Sequence, residues 1–89
     1  MNPFQVKLSC AIHLANSVIR MDERGQTEDA DRAQNRFADL ILSDEDSDAL
    51  LVAVARRLGR KRALAVSIEP AVVELAARMR AEDFASLVA

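Results

Sequence analysis

Eighty-nine residues with a formal net charge of −2 suit one helical domain (1–89), and 51 % hydrophobic residues beside 3 % aromatics make its core one of Leu, Val, Ile and Ala. One cysteine, Cys10, excludes an internal disulfide, and one histidine with no tyrosine or tryptophan leaves little for acid–base or nucleophilic catalysis. No apolar run reaches the ~18 residues of a membrane span, and Ser9, His13, Asn16 and Ser17 interrupt the early apolar stretch, so a cytoplasmic, non-enzymatic chain without leader, cofactor or metal is expected.

The first helix is signposted at both ends. Asn2 suits a cap, Pro3 suits the first helical position, and Gln5 follows the cap as in a capping box. Gly25, just past Arg24, marks the stop. Between them Phe4, Leu8, Ala11, Ile12, Ala15, Val18 and Ile19 share one face, widened by Val6, Cys10, Leu14 and Met21. At ~100° per residue this apolar arc spans roughly 200°. That surplus predicts either a central helix or a homodimer. Leu14, Val18 and Met21 are the expected dimer seam.

Gly25-Gln26-Thr27 reads as a turn with Thr27 as the next cap, and Glu28, Asp29 and Asp31 complement the dipole of a second helix. Its stripe is Ala30, Ala33, Phe37, Leu40 and Ile41, ending near Leu42. Ser43 is expected to cap a third helix with Asp44, Glu45 and Asp46 in its first turn. Leu50, Leu51, Val54, Ala55 and Leu58 form its stripe, Val52 faces away, and Gly59 stops it. Leu64, Val66 and Ile68 alternate as in a strand, but a lone strand has no partner, so a short helix is predicted there. Pro70 opens a further helix with Val72, Leu75, Ala76 and Met79 on one face. After Arg80 the apolar positions jump to Phe84, Leu87 and Val88, as for a kink or a separate last helix. The expected fold class is all-α, a compact dimeric bundle of four to five short helices.

Charge is segregated along the chain. Residues 22–48 are net −7, whereas residues 49–89 are net +3. The positive pole is Arg56, Arg57, Arg60, Lys61 and Arg62. Ala55 and Gly59 have the spacing of a helix-turn-helix, and Val54, Leu58, Ala65 and Ile68 occupy its packing positions within 54–68. Arg60 occupies a packing position it does not suit. The recognition segment, Arg62 to Ile68, offers only Arg62 and Ser67 for reading bases. Its cations would hold phosphates without sequence choice.

Asp44, Asp46 and Asp48 have the spacing of a calcium loop, but Ala49 replaces its glycine and Ala55 its final glutamate. Cys10 and His13 stand one helical turn apart without further Cys or His to close a zinc site. Cys10 is expected in the core and His13 on the surface.

The expected function is that of a small regulatory or inhibitory protein acting by protein–protein binding. It would dock an acidic protein surface on the basic cluster, as a phage or mobile-element antagonist of a bacterial host factor would. That last step rests on size class, not on residues. The alternative is a DNA-binding regulator using residues 54–68.

Overall fold

A computed structural model describes residues 2–80 and shows an all-helical protein. The described helices are α1 (Pro3–Glu23), α2 (Thr27–Leu42), α3 (Ser47–Leu58), α4 (Arg60–Ala65) and α5 (Pro70–Arg78). The apolar positions at Phe84, Leu87 and Val88 lie outside the described residues.

Both ends of α1 follow their local chemistry. Asn2 Oδ1 accepts from the Gln5 amide at 2.8 Å, so the cap satisfies one of the orphan donors of the first turn. At the other end, Gln26 N–H reaches the Met21 carbonyl at 2.9 Å and Gly25 N–H reaches that of Asp22 at 3.0 Å. This is a Schellman closure, with Gly25 at φ +74° in the left-handed position that favours glycine. Leu8, Ala11, Ala15 and Val18 are buried on the face toward the core, and α1 packs most extensively on α2.

The second helix buries Ala30, Ala33, Phe37 and Ile41, with Leu40 half-buried beside them. Its cap position is Gln26, with no side-chain cap bond, and Thr27 is already helical. Ser43 is the C-terminal cap of α2 and does not open α3. Asp44, Glu45 and Asp46 form a connecting loop ahead of α3. Asp44 Oδ1 accepts from the Asp46 amide at 2.7 Å, so the acidic side chain competes for the backbone and delays the helix to Ser47.

The central helix is α3, not α1. Leu50, Val52, Ala53, Val54 and Ala55 are all buried, and α3 packs against each of the other four helices. Val52, expected to face away, is 6 % exposed because α3 is enclosed on several sides. Each fully buried Leu or Val contributes roughly 1.5–3 kcal/mol relative to exposure. The stabilising apolar burial is therefore concentrated here.

One residue, Gly59, separates α3 from α4, at φ +84° and ψ 165°. This conformation belongs to glycine alone. Its amide bonds the Ala55 carbonyl at 3.0 Å and its carbonyl accepts from Ala63 at 2.9 Å, so it closes one helix and opens the next.

The short helix expected in 60–68 is present as α4. Its end explains the alternating pattern there. Ser67 takes φ +63°, Ile68 N–H bonds the Ala63 carbonyl at 3.1 Å, and Ser67 N–H bonds that of Leu64 at 3.1 Å. This second Schellman closure turns Val66 and Ile68 inward and leaves Leu64 exposed. Gln34 Nε2 donates to the Val66 carbonyl at 2.9 Å and ties α2 to this turn.

Pro70 opens α5, as its fixed φ predicts. Its inward face is Val73 and Ala76, flanked by half-buried Val72 and Met79. Leu75, expected in that stripe, is 46 % exposed. The arc rotated by one residue because α5 meets α3 and α4 together. A single buried cluster draws side chains from all five helices.

Candidate functional site

The two charged poles sit at opposite ends of α3. Its twelve residues separate them by about 18 Å at ~1.5 Å per residue. Asp44, Asp46 and Asp48 lie at its N-terminal end, and Arg56 and Arg57 lie in its last turn. Both sets complement the macrodipole of the helix that carries the core.

The corner at Gly59 divides the basic cluster. Arg56 and Arg60 turn toward α5. Arg56 Nη1 donates to the Met79 carbonyl at 2.6 Å, and Arg60 Nη2 lies 2.7 Å from Glu74 Oε1. Together they line a depression of about 320 Å³ over Val73 and Ala76. Lys61 and Arg62 turn the other way, toward the C-terminal end of α1. Arg62 Nη2 donates to Asn16 Oδ1. These two line a groove of about 620 Å³ with Ile19 and Ala65, facing Arg20, Asp22 and Glu23. Arg57 is exposed between the two sets. What reads as one basic run is thus a pair of cationic lips on a single corner.

Sequence spacing does not disclose Asn16, Glu74 or the Met79 carbonyl as partners of these arginines. They lie 46, 14 and 23 residues away. The only local hint was the surplus of polar groups on the outer strip of α1, where Asn16 sits.

The helix-turn-helix pattern departs from its template in three places. Its turn is the single residue Gly59, and its second helix has six residues. Ala65, at a packing position, is exposed. The one-residue turn is shorter than the three- to four-residue turn of that motif.

Of the expected seam residues, Val18 is 3 % exposed and belongs to the core of its own chain. It points between α1 and its neighbours and offers no surface to a twin. Leu14 and Met21 are half-buried against the core and keep part of their surface. Cys10 is exposed and not in the core, and His13 is exposed one turn further along.

At the acidic pole Lys7 Nζ lies 2.6 Å from Asp44 Oδ2. The hydrogen bond from Lys7, then that from the Asp46 amide, holds the Asp44 carboxyl below its ordinary pKa. The Asp44 carboxylate in turn raises Lys7 above its own. Asp44 is therefore occupied by the chain's own groups. Among the described residues no three His, Cys, Asp or Glu side chains converge as metal ligands would, and no helix is long and apolar enough to cross a membrane.

Fold and site define an all-helical protein with a cationic corner built on a buried central helix. Comparison with protein-family models, curated proteins and solved structures finds no match for the chain.

Proposed function

We propose that this chain is a small regulatory or inhibitory protein without catalytic activity, and that it docks an acidic surface of a partner protein on the corner formed by Arg56, Arg57, Arg60, Lys61 and Arg62. One observation carries this reading. The corner gathers cations from two helices about the Gly59 junction, while the acidic residues of 44–48 stand at the far end of α3. An acidic partner approaching the corner is attracted by these cations, with Asp22, Glu23 and Glu74 as the acidic residues beside them.

The test is reversal of Arg60, Lys61 and Arg62 to Glu. Capture of a protein from nuclease-treated extract should be lost while helicity by circular dichroism is retained. Undiminished capture makes the cluster no more than a solvated helix end. Capture that disappears with nuclease points instead to nucleic acid, which would show a steep salt dependence on random duplex DNA.

The homodimer belongs to the same reading, with Leu14 and Met21 as its seam and Val18 excluded. Leu14→Asp with Met21→Asp should convert a dimer to a monomer in sedimentation. A wild-type chain that sediments as a monomer at high concentration removes the dimer from the proposal.

A further inference from the structure

The groove between the end of α1 and α4 differs from the rest of the corner, because it joins cations to apolar surface. Lys61 and Arg62 form one lip, Ile19 and Ala65 the floor, and Arg20, Asp22 and Glu23 the far lip. At about 620 Å³ it has room for side chains of an inserted helix or extended segment. The Arg62–Asn16 hydrogen bond links the α4 lip to α1. The other described depression of the corner, over Val73 and Ala76, already holds the Arg60–Glu74 ion pair beside it.

We infer that this groove is where the acidic partner inserts, and that its occupant is an amphipathic peptide segment placing an aliphatic side chain on Ile19 and Ala65 and a carboxylate between Lys61 and Arg62. Charge complementarity sets its direction. The acidic part of the segment faces Lys61 and Arg62 on α4, because Asp22 and Glu23 outnumber Arg20 on the α1 lip. A polyanion without apolar side chains fills only half of the site. This inference rests on the reading of the corner as a docking site for an acidic protein, and it adds that an apolar anchor is required.

The substitution Ala65→Arg separates the two ideas. Ala65 is exposed, so the change leaves the core intact. It adds a positive charge to the corner and fills the groove floor. If charge alone drives capture, binding holds or tightens. If the groove is the site, binding falls.

The probe is a short acetylated helical peptide with leucines one turn apart and glutamates beside them, titrated into the whole chain at low salt and followed by amide NMR shifts. Shifts should centre on Ile19, Arg62 and Ala65. Replacing its leucines by alanine should weaken binding roughly tenfold, the scale of one buried aliphatic side chain, and Ala65→Arg should weaken it at least as much.

Equal binding of the alanine peptide, or tighter binding by Ala65→Arg, overturns the groove while leaving the charged corner standing. Equal binding by the triple Glu reversal overturns both. A duplex DNA probe that binds, and binds more tightly to Ala65→Arg, overturns the protein partner itself.

Discussion

The two poles of the molecule carry charge runs of similar length and do different things with them. At the acidic pole the side chains act within a few residues of themselves. Asp44 takes the neighbouring Asp46 amide and so shapes the turn before α3. Among the described residues, the Lys7–Asp44 pair bridges elements there. At the basic pole Arg56 and Arg60 reach α5 and Arg62 reaches α1. Reach is part of the reason. Arginine has a long stem and several donors, whereas aspartate is short and finds the backbone first. A charge run at a helix start thus shapes the local turn, and one at a helix end on a glycine corner braces neighbouring helices and still shows charge outward.

Because α3 joins the poles, the largest expected effect comes from weakening it. Leu50 has no exposed surface, and Leu50→Ala should cost about 2–5 kcal/mol. Urea unfolding monitored at both poles should shift together, and separate transitions would show that they are independent structures. Next in size is the corner. A Cβ at Gly59 meets no neighbour, so the cost of Gly59→Ala is backbone strain, about 1–3 kcal/mol. Gly25→Ala, in the milder left-handed position at φ +74°, should cost about 1–2 kcal/mol. Gly59→Ala should also disturb the NMR shifts of Arg60 to Arg62, whereas Gly25→Ala should not.

Smaller effects come from the ion pairs. The Arg60–Glu74 pair is more than half exposed on both sides, so Glu74→Gln should change stability by only about 0.2–1 kcal/mol. A larger loss in thermal unfolding would mean that the corner depends on that latch. The smallest effect is the pH response of Lys7–Asp44. A lowered carboxyl pKa stabilises the fold above the ordinary aspartate range, and that contribution disappears as pH falls through the lowered value. A raised ammonium pKa contributes fully below the ordinary lysine range and is lost as pH rises through the raised value. Acid should therefore loosen the loop at 43–46, and Asp44→Asn should abolish that acid sensitivity in hydrogen exchange. Exchange in the loop that does not respond to acid in the wild type contradicts the role given to the Lys7–Asp44 pair.

Much of the fold was legible because its signals are local. Asn2 starts a helix through its side-chain oxygen, and Gly25, Gly59 and Pro70 stop or start one through their backbone conformation. The stripes of α1 and α2 follow from periodicity. Thr27 and Ser43 misled because a polar residue near a helix start is not always its cap, and Asp44 claims the turn that Ser43 was expected to open. Val52 and Leu75 exchanged roles because enclosure by several helices overrides a single-face pattern. The basic residues of the candidate site were visible, but its shape was not. The groove depends on Ile19 meeting Ala65 across 46 positions of chain, which no spacing rule encodes.

The central claim is that the corner at Gly59 binds an acidic protein. Its most direct measurement compares wild type with the Arg60, Lys61 and Arg62 to Glu variant in capture from nuclease-treated extract, with helicity checked for both. Wild type should retain an acidic protein that salt elutes, and the variant should retain none. Equal capture by the two folded proteins would contradict it.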